Sequence, residues 1–153
     1  MPKISNPEIH FLFIGDGAEK ENLKKYSRTL NSKNFTFLES VMKREIPLYI
    51  EISDYSLVNL KKSDDFKNVI PSKIFENIAM YKPILLGVEG ESKKLIEEYR
   101  VGVCFEPENK ESFLNALFNI QNLDRDSFKV NCNKMLMDFD RNKIAENLIK
   151  FID

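Results

Sequence analysis

Apolar residues in this chain fall into short continuous runs, and the stretches between them carry helical spacing. Residues 9–14 (IHFLFI), 34–38 (NFTFL), 55–60 (YSLVNL), 83–87 (PILLG) and 102–105 (GVCF) form the runs. Each is short enough for a strand and apolar on both faces, as expected of strands buried in a parallel sheet. The intervening segments 18–30, 45–53, 73–81, 92–99 and 110–121 predict helices, and two more follow at 126–139 and 142–152. In 45–53 the residues Ile46, Tyr49 and Ile50 share a face, and Pro47 is tolerated because it lies in the first turn. Strand and helix alternate without a linker, repeat or low-complexity tract. That order predicts an α/β fold, a Rossmann-like, doubly wound parallel sheet with helices on both faces. Ligands of such folds bind at the carboxyl ends of the strands.

The segment Asn68 to Glu76 (NVIPSKIFE) follows the third predicted strand and therefore lies at that end. Pro71 disfavours helical geometry at Ile70, and Ser72 is a favoured N-cap, so the helix is expected to start at Lys73. Its first N–H groups have no partner inside the helix and carry partial positive charge, which suits a phosphate. Ile74, Phe75, Ile78 and Ala79 form the expected apolar stripe, while Ser72, Lys73 and Glu76 share another side. Donors for a phosphate thus sit beside a carboxylate able to accept from vicinal hydroxyls. The plainer alternative is a capped helix with a surface Lys73–Glu76 pair.

Composition removes several classes of function. With 153 residues, 42% hydrophobic and 31% charged, the chain suffices for one domain with a real core. A formal net charge of −1 with interleaved signs supplies no field for nucleic acid or anionic lipid. No apolar run approaches the roughly 18 residues of a membrane span, and no signal-peptide core opens the sequence, so a cytosolic protein is expected. Cys104 falls in a predicted strand and Cys132 in a predicted helix, without metal-ligand spacing, and both are expected to be buried thiols. His10, between Ile9 and Phe11 in the first run, is expected to be a packing histidine. Gly15-Asp16-Gly17 joins a strand to a helix but lacks the third glycine or the Gly-Lys-Ser/Thr ending of a phosphate loop, so a tight turn is expected. Gly87 to Ser92 is expected to be another turn, into a helix capped by Ser92.

Pro71-Ser72-Lys73-x-x-Glu76 with Ala79, followed by Lys82-Pro83 and an apolar strand, resembles the signature of retaining GT-B glycosyltransferases of the group 1 family. The branch it is most similar to makes bacterial polysaccharides or transfers amino sugars. The resemblance runs from Ile9 to about Ala116, and its closing part is Gly102-Val-x-Phe-x-Pro107 with the helix that begins near Ser112. It implies the carboxyl-terminal, donor-binding domain of such an enzyme. A nucleotide sugar, preferably a UDP-sugar, would be the ligand, with no cofactor and no obligatory metal. Glu76 would hold the ribose, and Ser72, Lys73 and Ile74 would face the diphosphate. Val41, with Ser40 behind it, would meet the base after the strand Phe37-Leu38, although Glu39 stands where the family has glycine. The family's pair of glutamates is also incomplete, because Asn68 occupies the first position.

The resemblance further implies an opening strand and basic loop that nothing before Pro7 supplies, and an amino-terminal acceptor domain outside this chain. The family's strand order of 3-2-1-4-5-6 would then lack its central member, so either the sheet closes up or a second copy fills the gap. A noncatalytic Rossmann-like binding or interaction module, or a fragment of a sugar-nucleotide 2-epimerase, is the alternative reading.

Overall fold

A computed structural model describes residues 8–30 and 33–152. The chain forms two compact units, one up to Ile46 and one from Pro47 onward. The residues before Pro7, where the family's opening strand would have to arise, lie outside the described part.

In the first unit, strand β1 (Phe11–Ile14) leads through the Gly15 turn to helix α1 (Lys20–Thr29) and then to strand β2 (Phe35–Leu38). The strands pair in parallel, Phe11 opposite Phe35 and Phe13 opposite Phe37. Alternation places these four rings on one face, where Phe11 stacks on Phe35 at 5.6 Å and Phe13 on Phe37 at 5.0 Å. Every residue of both strands is only half-buried. Among the described residues of this unit, Lys20 alone is buried. His10 precedes β1 instead of lying within it; it is exposed, and its Nε2 lies 2.8 Å from Thr36 Oγ1.

Helix α2 (Ile46–Ile52) follows a 3-10 turn at Lys43–Glu45. The second unit then holds strands β3 (Ser56–Asn59), β4 (Ile84–Gly87) and β5 (Gly102–Cys104) in one parallel sheet of order β3-β4-β5. Helix α3 (Ser72–Ala79) joins β3 to β4, and α4 (Glu91–Tyr99) joins β4 to β5. Helices α5 (Lys110–Asn119), α6 (Arg125–Asp138) and α7 (Arg141–Ile152) complete the chain. β4 is the central strand and is buried throughout, which explains its uninterrupted apolar sequence. Helix α6 packs on α3 and α4, while α5 lies against β4 and β5. Val58, Ile74, Ile78, Ile84, Leu86, Ile96, Val101 and Met135 make up most of one continuous core.

The described strands thus form two ladders, β1-β2 in the first unit and β3-β4-β5 in the second. Both ladders are parallel, with helical crossovers, as the apolar runs predict. No described helix is long and apolar enough to cross a membrane.

Candidate functional site

The site residues expected from the sequence divide between the units. Ser40 and Val41 follow β2 in the first unit, where Ser40 is exposed and Val41 half-buried. Ser72, Lys73, Ile74 and Glu76 all lie on α3 in the second.

Around β2 the residue in the family's glycine position has a partner. The Glu39 carboxylate lies 2.6 Å from the ammonium of Lys20 and 3.7 Å from that of Lys24. Lys20 is otherwise buried, so a carboxylate there satisfies its charge. The Lys20 hydrogen bond is the main cause that holds the Glu39 carboxyl below its ordinary range. An open groove of about 330 Å³ nearby is lined by Lys24, Ser27, Arg28, Phe35 and Phe37, none of them an expected site residue.

In the second unit the chain leaves the carboxyl end of β3, makes a 3-10 turn at Asp64–Phe66 and enters α3. Ser72 is the first residue of α3 and not its cap. Pro71, extended at φ −61° and ψ 133°, occupies the cap position, and its carbonyl accepts the Ile74 N–H at 3.0 Å. That bond removes Ile74 from the expected donors, and its side chain is fully buried in the core. The Ser72 and Lys73 N–H groups remain at the open end. Ser72, Lys73 and Glu76 are exposed together on one side. Ser72 Oγ approaches Glu76 Oε1 at 3.5 Å, and among the described residues no ion pair joins Lys73 to Glu76.

The apolar stripe of α3 is shifted from expectation, with Ala79 exposed and Asn77 buried. Asn77 closes the helix. Its carbonyl accepts from Met80 and Lys82, its Nδ2 donates to Lys73 O at 2.6 Å, and Tyr81 turns left-handed at φ 54°. Its Oδ1 is buried without a partner. Sequence reasoning missed this role, because a polar residue inside an apolar stripe has no local signature of helix closure.

The turn after β4 also differs from expectation. Gly90, at φ 79° and ψ −137°, precedes α4, and Ser92 lies inside the helix. The Ser92 hydroxyl is fully buried and donates to Val69 O at 2.6 Å. One residue earlier, Glu91 N donates to Lys67 O at 2.7 Å. The loop entering α3 is thus bonded to the turn entering α4. Further round the same end of the sheet, Lys62 pairs with Glu106 at 2.7 Å and its N–H donates to Glu108 Oε1 at 3.2 Å. The Lys62 hydrogen bond lowers the Glu106 carboxyl below its usual range.

Both cysteines are free thiols; Cys132 in α6 is buried as expected, whereas Cys104 at the end of β5 is only half-buried because that strand is partly open to solvent. Burial pushes each up to about 12. At pH 8 neither supplies appreciable thiolate, the reactive form. A thiol reagent such as Ellman's should leave the folded protein unlabelled over minutes and titrate both cysteines in urea; rapid native labelling of either would contradict the structure.

The model of the family described as Glycosyl transferases group 1 matches residues 1–134. Over 126 residues the chain is 27% identical to "Probable glycosyltransferase WbjE" of Pseudomonas aeruginosa, an overlap covering 81% of this chain and 31% of that protein. Among solved structures it is similar to a glycosyltransferase from Rickettsia africae ESF-5, with a TM-score of 0.65 and 19% identity, across 94% of this chain and 39% of that one. That likeness bears on the fold alone and agrees with a Rossmann-like arrangement. The chain spans 31% and 39% of the lengths of these two proteins.

Proposed function

The chain belongs to the glycosyl transferases group 1 family, and from that premise we propose that it is the donor-binding part of a retaining sugar transferase of bacterial cell-surface polysaccharide synthesis. The two units together would constitute the carboxyl-terminal Rossmann-like domain. Its ligand would be a nucleotide sugar, in the first instance a UDP-sugar, and the reaction would proceed in the cytoplasm. One observation carries this reading: an exposed hydroxyl, ammonium and carboxylate at Ser72, Lys73 and Glu76 share the open end of a helix at the carboxyl edge of a parallel sheet.

The chemistry follows from charge. A departing nucleoside diphosphate gains negative charge as the glycosidic bond breaks, and fixed N–H dipoles and a cation stabilise that change without reorganising. The Ser72 and Lys73 N–H groups and the Lys73 ammonium would supply them. The Glu76 carboxylate would accept from the two ribose hydroxyls and set the nucleotide's position. Val41 and Ser40 would contribute to the base. The acceptor and its groups would belong to an amino-terminal domain outside this chain, so transfer by this chain alone is not expected. Among the described strands β3 pairs with β4 alone, and Leu57 on it is exposed. An unpaired edge of this kind suits an added strand, and homo-oligomerisation there is part of the proposal.

Saturation-transfer NMR with UDP, GDP and UDP-N-acetylhexosamines tests the reading. Signal transfer to the nucleotide protons is expected, strongest for the uridine ligands. Absence of transfer to any of them would remove the donor site and leave the noncatalytic module. Slow hydrolysis or epimerisation of the added UDP-N-acetylhexosamine would favour the epimerase alternative.

A further inference from the structure

The loop Lys67 to Ile70 presents its side chains to solvent, with Val69 42% and Ile70 38% exposed, yet its main chain is held firmly. Two of its carbonyls are occupied by the turn that enters α4, Lys67 O by the Glu91 N–H and Val69 O by the buried Ser92 hydroxyl. Two of its N–H groups reach backwards, Lys67 to Asp64 O and Val69 to Phe66 O. Gly90 lets the two segments meet. A Cβ at this position would stand 2.0 Å from Lys67 O, and the left-handed φ of 79° is one that other residues rarely adopt. Exposed apolar side chains add little that would order this loop from without. Its course into α3 is instead set by the tethers to Gly90, Glu91 and Ser92.

We infer that the Gly90–Ser92 turn is a positioning element for nucleotide recognition: it fixes the loop ahead of α3 so that the Ser72 and Lys73 N–H groups and Glu76 keep one orientation before ligand arrives. This rests on the donor-binding reading above and adds residues that touch no ligand themselves. Preorganisation of this kind raises affinity by removing ordering that binding would otherwise have to impose.

The test is UDP titration of the whole chain, followed by amide NMR, with amide exchange measured in the absence of nucleotide. Ser92→Ala removes one tether and leaves the ligand-facing groups intact. It should weaken UDP binding about fivefold and hasten exchange of the Val69 amide. Ser92→Thr keeps the hydroxyl and should bind UDP within about twofold of the parent. Leu117→Ala, on the buried side of α5, controls for general loss of stability and should leave UDP affinity unchanged. Ser92→Ala binding UDP as the parent does, or Leu117→Ala losing as much affinity as Ser92→Ala, would overturn the positioning role while leaving the donor site standing. A parent chain that binds neither UDP nor GDP would remove the donor site and this role together.

Discussion

Gly102→Ala should lower the urea midpoint of unfolding by about 1 M or more, one of two large effects expected from single substitutions. A Cβ on residue 102 would stand 2.1 Å from Ile84 O and 2.9 Å from Ile84 C. These are main-chain atoms of the neighbouring strand, so no rotamer change relieves the clash. Nor can β4 retreat. Ile84 is fully buried, its N–H is bonded to Val101 O at 3.2 Å, and β4 is paired on both edges. Overpacking of a core costs about 1–3 kcal/mol, and a main-chain obstacle belongs at or above the top of that range. With a denaturant slope of about 1–3 kcal/mol per molar, the midpoint shift follows. Gly17→Ala is the matched control, since a Cβ there meets nothing within 4 Å. It should change stability by no more than about 0.5 kcal/mol. Coincident curves for the two variants would show that the approach of β5 to Ile84 is not as described.

The second large effect concerns ligand and leaves the fold alone. Glu76→Ala should weaken UDP binding about a hundredfold or more, because two hydrogen bonds to a charged group are each worth about 1.5–3 kcal/mol. Glu76 is exposed and its one described contact is the 3.5 Å approach of Ser72 Oγ. Thermal stability should therefore move little. Glu76→Gln, which keeps one acceptor oxygen, should fall between. A Glu76→Ala chain with unchanged UDP affinity would reject the carboxylate as the ribose ligand even if nucleotide binds elsewhere.

Element order was legible because period and length distinguish the two kinds of segment. Every predicted strand and helix of the described part exists, with ends displaced by one or two residues. The cap of α3 was misplaced for a local reason. Ser72 is a good side-chain acceptor, but Pro71 offers its own carbonyl to Ile74 and makes a side-chain cap unnecessary. Asn77 and Ser92 were illegible for a different reason, since their burial comes from bonds that close a helix or reach 23 positions along the chain. The division of the strands into two ladders was likewise hidden. Apolar runs predict cover on both faces, which β4 has and the half-buried β1 and β2 do not, and they are silent about a strand's neighbour in the ladder. Helical spacing puts Ser72, Lys73 and Glu76 on one side of α3, and all three are exposed there. Whether Ser40 and Val41 complete a base pocket was never a question that spacing could answer.

The uneven distribution of buried apolar side chains has a practical outcome for anyone measuring this molecule. Among the described residues the continuous core lies within the second unit, whereas the strands of the first are half-exposed and held by ring stacking and a parallel ladder. Local opening free energies follow such differences, so the first unit belongs at the low end of the scale and can fray while the second stays native. A melting curve recorded on the whole chain then reports on β4 and its surroundings. Substitutions near Glu39 or Val41 could disorder their own unit and leave the melting temperature untouched.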